Sequence, residues 1–380
     1  MVKIQITEND AGQRLDRFLK KYLKRAPLSA IYKIIRKDLK VNGRRAKEDT
    51  LLAEGDELTF YLSQENLDEM TRPPKKQKAR KQFRIAYEDD NILIAEKPWG
   101  LLTHGDSSEK KNTLMNQVCG YLQERGEYDP ASEKTFTPSP VNRLDRNTTG
   151  LVIFGKNAAS LRTLTKLLRE RDAISKYYIT IVAGRFDKEM VIDEALVKDE
   201  ATNTVSVAKA PAGEGASDAA AAKRAVSIVR PLEVGRHYSV VEVELVTGRT
   251  HQIRAHLASK GYPLVGDSKY GTGRRGKEAN DRTRELGVTT QLLHAYRLLF
   301  GEMPGEEDGA PAGFEDLSGL EVKAKVPGDF ERVWRTLKED ETRNERFYQR
   351  LSYCNRDSCG GFAGHQADHR QGKIDGIHAV

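Results

Sequence analysis

Leu15, Phe18, Leu19, Tyr22 and Leu23 recur at the three- and four-residue spacing of an amphipathic helix. After Pro27 a second set, Leu28, Ile31, Tyr32, Ile34 and Ile35, predicts another helix with Ser29 in its first turn. Leu39-Lys40-Val41 then reads as a short strand running into Asn42-Gly43, a strong hairpin signal, and residues 55–62 add a turn and an alternating strand. This unit, taken as residues 1–62, is too small to enclose an enzyme site and suited to docking. Residues 63–82 lose periodicity and contain Pro73-Pro74, which predicts an extended linker. Downstream, residues 91–97 and 150–155 are short apolar runs, and residues 176–182 and 238–245 alternate. Leu161, Leu164, Leu167 and Leu168 mark a helix among them. Few strands alternate regularly with helices, so residues 83–335 are expected to form an α+β domain with a mixed, mostly antiparallel sheet. The Gly-rich or charged stretches 208–223, 271–290 and 301–316 read as exposed loops. Residues 336–380 read as a final helix and a disordered tail.

Composition narrows the class. The chain has 380 residues, 38% of them apolar and 31% charged, and a mean hydropathy of −0.64. No run of about 18 apolar residues is present, so no membrane partner is expected. Three cysteines do not staple a chain of this length, and the start of the sequence shows no basic-then-apolar leader. A reduced, cytoplasmic, monomeric protein is the expectation. The net charge of +7 is uneven: residues 12–48 carry 13 Lys or Arg against Asp16, Asp38 and Glu48, and residues 71–84 carry seven with no acid. A basic first fifth on an acidic body predicts a polyanionic partner for that end.

Three segments carry candidate chemistry. Arg143-Leu144-Asp145-Arg146, in a polar loop before an apolar strand, sets one carboxylate between two guanidinium groups, a setting that keeps it ionised. Read alone, it is also compatible with a solvent-facing ion pair. Residues 247–257 follow a strand and open a short helix on which His251 and Arg254 share a face; its arginines suit a carboxylate or a phosphate. Tyr177 and Tyr178 are adjacent on a strand and so face opposite ways; one is available for a base to stack on.

Residues 14–19, Ser29, Val41-Asn42-Gly43 and Gly55-Asp56 resemble the small RNA-binding domain named after ribosomal protein S-four. That resemblance implies an RNA-facing surface drawn from Arg14, Arg17, Ser29, Asn42 and Arg44. Ala30 stands where that family usually has Arg, and Asp38 where Gly is common. Residues 83–300 resemble the RluA-type pseudouridine synthases. The matching motifs are Lys97-Pro98-Trp99-Gly100-Leu101 with His104, Arg143-Leu144-Asp145 with Thr148-Thr149-Gly150, and Lys176-Tyr177-Tyr178. Residues 248–254, Gly266-Asp267, Tyr270-Gly271 and Leu293-His294-Ala295 complete the set. Asn142 departs from the usual His.

The second resemblance implies that Asp145 is the catalytic aspartate, attacking the anomeric carbon of a uridine or removing a sugar proton. Tyr178 would stack on the uracil and assist loss of the carbon 5 proton, and Arg254, or failing it Arg249, would pair with Asp145. Arg143 and His251 would bind the flipped nucleotide, and Leu293 would line the base pocket. No cofactor or metal is implied. The implied substrate is large-subunit (23S) ribosomal RNA, by analogy with relatives carrying such an amino-terminal module. Cys354, Cys359, His365 and His369 lack the spacing of a zinc module. Two other readings explain less. A catalytically silent ribosomal RNA-binding assembly factor would not need these motifs together, and a nucleoside hydrolase would not need the leading module.

Overall fold

A computed structural model describes residues 1–72, 80–170, 173–208 and 222–357, by backbone alone from 343 onward. Met1–Trp334 form one compact unit, and Arg335–Val380 a second.

At the amino-terminal end, β1 (Val2–Gln5), α1 (Leu15–Tyr22), α2 (Leu28–Lys37), β2 (Leu39–Val41) and β3 (Glu57–Phe60) make a small α+β module. Its antiparallel sheet has the order β1-β3-β2. The apolar stripes of both helices close a core of Phe18, Leu19, Ile31, Ile35, Leu58 and Phe60. Asn42 and Gly43 both take left-handed backbone angles, φ 49° and 74°. That pair is what a two-residue hairpin turn requires, and Val41 and Arg44 exchange N–H···O bonds of 2.9 and 3.0 Å across it. Residues 64–71, read from sequence as linker, instead form helix α3 (Gln64–Thr71), whose amino end the Ser63 hydroxyl caps. Only Leu67 is buried there, so the apolar signal was one residue deep.

The module is hydrogen-bonded to the rest of the unit. Asp10, wholly buried, accepts from the Thr135 hydroxyl at 2.7 Å. Gln13 donates to Thr135 at 3.0 Å, and Asn9 joins Glu133 (2.8 Å) to the Ala158 amide (3.0 Å).

The body contains β4 (Arg84–Glu88), β5 (Ile92–Lys97), α4 (Leu114–Glu124), β6 (Ser139–Pro140), β7 (Thr149–Gly155), α5 (Ala158–Glu170) and β8 (Ile174–Ala183). It continues through β9 (Met190–Asp193), β10 (Leu196–Asp199), β11 (Thr204–Val207), β12 (Val226–Val234), β13 (Tyr238–Leu245), α6 (Gln252–Ser259) and α7 (Arg274–Glu285). β14 (Leu293–Phe300), β15 (Glu321–Lys323) and α8 (Gly328–Asp357) follow. Among the described residues the main sheet has ten strands, in the order β4-β5-β7-β14-β8-β13-β12-β9, with β15 beside β14 and β6 beside β7. Every pairing is antiparallel except β14 with β7. The expected mixed, mostly antiparallel α+β architecture is the one observed.

Successive strand residues point to opposite faces, and here both faces are covered. Leu93, Ala95, Val152 and Phe154 enter one core with α4 and α6 residues, while Ile92, Ile94, Leu151 and Ile153 enter the other with Leu164, Leu298 and Phe300. That is why these strands read as unbroken apolar runs. Two stretches expected as exposed loops are partly inside. Residues 271–290 contain α7, which buries Gly276, Ala279, Asn280 and Thr283. Residues 301–316 send Met303, Ala310 and Phe314 into the second core. Most of 208–223 lies outside the described residues.

Candidate active site

Asp145 sits in the loop between β6 and β7, and buried polar anchors fix that loop. Lys97, 1% exposed at the end of β5, donates to the carbonyls of Pro98 (3.1 Å), Leu101 (2.7 Å) and Arg146 (2.9 Å). Burial pushes its ammonium down to about 7, opposed by the Asp145 charge. The Thr103 hydroxyl clamps Leu144 at both its carbonyl and its amide, 3.0 and 3.2 Å. Asn142, the departure from His, holds β7 through Leu151 O (3.3 Å) and Ile153 N (2.9 Å), a positional role its amide fills. Beyond the loop, Gly150 has φ +113°, and a Cβ there would lie 2.1 Å from the Ala295 carbonyl. The single parallel contact of the sheet thus depends on a missing side chain.

Strand β13 delivers the chain to α6, and the start of that helix brings two groups to Asp145. Arg254 donates from Nη1 to Asp145 Oδ2 at 3.3 Å, and grips Asp267 through Nε and Nη2 at 2.7 and 2.9 Å. Its side chain is 8% exposed and that of Asp267 is 0%. Burial works against the guanidinium charge, but Asp267 and Asp145 outweigh it and raise its pKa. Such a two-point grip fixes a planar guanidinium in orientation as well as charge. His251 caps α6 in the left-handed region, φ 52°, an uncommon conformation for a residue with a Cβ. Its Nε2 lies 3.7 Å from Asp145 Oδ2, and its Nδ1 lies 2.8 Å from the Tyr270 hydroxyl. That hydroxyl also accepts from Val205 N at 3.0 Å, which fixes the tyrosine beside the ring. Burial lowers the His251 pKa, opposed by the Asp145 charge.

These groups open into a cleft of about 950 Å³ lined also by Arg143, Arg169, Lys176, Tyr178, Arg249 and Lys269. Tyr178 comes from β8, with its phenol raised well above the ordinary range by burial and then by Asp145. Tyr177 faces the other way, beneath the Arg297 guanidinium at 3.7 Å. Arg143 is exposed on the rim. Arg249 lines the cleft but turns its Nε to the Arg224 carbonyl at 3.2 Å, so Arg254 rather than Arg249 is the partner of Asp145. Leu293 lies in the same core cluster as Tyr178, which lines the cleft, and is 7% exposed.

On the small module, Arg17, Ser29 and Arg44 are exposed. Arg14 is tied to Asp16 at 3.0 Å, and Asn42 is spent on the turn, bonding Asp56 and the Glu57 amide at 2.8 and 2.9 Å. The side chains of Cys354, Cys359, His365 and His369 lie outside the described residues. No cluster of metal-ligating side chains occurs among the described ones. Asp267 and Tyr270 stand in matching motifs, but the sequence does not tell what they touch, and Thr103 carries no signal at all, since buried pairing leaves no periodic trace.

A sheet buried on both faces thus carries a carboxylate paired with a guanidinium in a cleft lined by further arginines and lysines. Residues 91–259 match the family described as RNA pseudouridylate synthase. "Ribosomal large subunit pseudouridine synthase C" of Vibrio vulnificus is 31% identical, covering 88% of this chain and 96% of its own length. The protein of that name from Escherichia coli is 31% identical, covering 78% of this chain and 88% of its own. Human RNA pseudouridylate synthase domain containing 4, a solved structure, superposes with a TM-score of 0.49 at 22% identity, covering 65% of this chain and 89% of its own. The chain belongs to the RNA pseudouridylate synthase family.

Proposed function

We propose that this enzyme isomerises uridines to pseudouridine in large-subunit ribosomal RNA, acting as a cytoplasmic monomer with Asp145 as its catalytic group. The observation that carries the role of Asp145 is its link to Arg254, itself locked by the buried Asp267. That chain keeps one carboxylate oriented toward a cleft large enough for a flipped nucleotide. In the reaction the bond from the ribose anomeric carbon to uracil N1 breaks. The detached uracil then turns and bonds through carbon 5, which loses its proton while N1 gains one, so nothing external is consumed. Asp145 drives the first step, at the anomeric carbon or by taking a sugar proton. Tyr178 meets uracil as a neutral phenol, which supports stacking more than proton abstraction. His251, with Nε2 3.7 Å from Asp145, stands where it can hydrogen-bond the nucleotide beside that carboxylate. Arg143, Arg249, Lys176 and Lys269 suit the phosphates flanking it.

The large-subunit substrate is supported by the names of the relatives together with the amino-terminal module, whose Arg17, Ser29 and Arg44 face solvent. Mapping pseudouridines in ribosomal RNA with and without the gene tests the assignment. Loss of specific large-subunit pseudouridines, restored by wild type and not by Asp145→Asn, is expected. An unchanged map would refute it.

A further inference from the structure

One aromatic side chain near the cleft is exposed without being loose. Trp99 is 61% exposed, in the turn that follows β5. Its indole Nε1 donates to the Thr290 hydroxyl at 2.9 Å, a bond between segments 191 residues apart. The backbone beneath it is anchored by the buried Lys97, which holds the carbonyls of Pro98 and Leu101. Leaving an indole in water forgoes the burial that ordinarily places tryptophan inside. Trp99 borders a shallow depression of about 460 Å³, with Gly100, Leu102, Arg146 and Gln82 also on its wall. Leu102 and Arg146 line the cleft of Asp145 as well, and so does Thr290, to which the indole is tied. The two hollows therefore share a wall. Among the described residues the Arg146 guanidinium meets exposed partners, Ser108 at 2.8 Å and Asp106 at 3.5 Å, the ion pair being 47% and 46% exposed on its two sides. Contacts of that kind are weak and exchange readily for a phosphate. Glu109, the acid in this depression, turns its carboxylate to the backbone amides of Lys111 and Asn112.

We propose that Trp99 and Arg146 form a nucleotide subsite next to the catalytic cleft. A base flanking the target uridine stacks on the Trp99 ring, and the phosphate joining it to the target meets Arg146. Every base has a π-face, so the subsite adds affinity and holds the strand in place with little preference for sequence. This deepens the RNA-modifying reading and rests on it.

The chain has two tryptophans, so Trp334→Phe leaves Trp99 as the sole indole. With that variant, a large-subunit ribosomal RNA transcript should quench the emission and shield it from acrylamide. Trp99→Ala should weaken binding of the transcript roughly tenfold, and Trp99→Phe should restore most of it. Arg146→Ala should lower the salt dependence of binding by about one counterion. Thermal unfolding of each variant separates lost contact from lost fold. Unchanged emission on saturation with RNA, or equal affinity for Trp99→Ala and wild type, would overturn the subsite. Pseudouridine formation by wild type is read in the same samples. Its absence would sink the functional reading, whereas a silent Trp99 with normal turnover would sink only the subsite.

Discussion

The amino-terminal module and the cleft both rely on arginine, and they use it in opposite ways. Arg17 and Arg44 stand in solvent on the module. Arg254 is buried, bidentate to one carboxylate and singly bonded to another. Exposed charges attract a polyanion over a distance, act nearly independently and are screened by salt. A buried, paired charge contributes orientation, and removing its partner leaves a cost that nothing nearby relieves. The first arrangement suits affinity for RNA of many sequences, the second suits chemistry at one atom. Of the exposed candidates on the module, Asn42 belongs to neither group, since its amide is committed to the hairpin turn.

The sharpest way to break this contrast is at Asp267. Asp267→Ala leaves the buried Arg254 with only its single bond to Asp145, and a stability loss of about 3 kcal/mol is expected, with single-turnover rates falling at saturating RNA. Denaturant unfolding checks the first and pseudouridine yield the second; a loss as small as that for an exposed pair would erase the distinction. Gly150→Ala comes next. The new Cβ would press on the Ala295 carbonyl in a left-handed backbone, and roughly 3 kcal/mol should be lost, visible as a lower Tm.

His294 gives an effect that appears only on the acid side. Burial lowers it from 6.5 to about 4 in the folded protein. Between those values the unfolded chain binds a proton that the native state does not, so stability falls as pH drops through that window. The contribution is on the order of 3 kcal/mol at its lower end. Urea midpoints at several pH values should show a shallower acid-side slope for His294→Gln than for wild type, and identical slopes would contradict the assignment. The smallest effects belong to the module. Arg17→Ala and Arg44→Ala should each weaken RNA binding a few-fold and reduce its salt slope by about one, with the chemical step unchanged. A matching loss of single-turnover rate would show that the module helps to build the site.

Motif order along the chain was enough to bring Asp145, Tyr178, His251 and Arg254 forward as a set, apolar runs were enough for β5 and β7, and alternation for β8 and β13. What was hidden has physical reasons. The α7 helix buries small and polar side chains, so no apolar stripe marks it. Its Gly276 packs so closely on Gly271 that a Cβ would meet the Gly271 Cα at 2.6 Å. Those glycines look like loop residues in sequence and act as close-packing residues in space. Asp267 lies 13 positions from Arg254, a separation with no periodic meaning, and its value comes from complete burial. Docking of the module through Asp10 and Thr135 likewise joins two polar residues 125 positions apart.

The central claim is that Asp145, held by Arg254, performs the isomerisation while RNA binding resides elsewhere. The most direct test gives large-subunit ribosomal RNA to wild type and to Asp145→Asn and measures pseudouridine formed alongside RNA affinity. The account predicts pseudouridine from wild type, none above background from Asp145→Asn, and equal affinity for both. Pseudouridine formed at comparable rates by Asp145→Asn would contradict it.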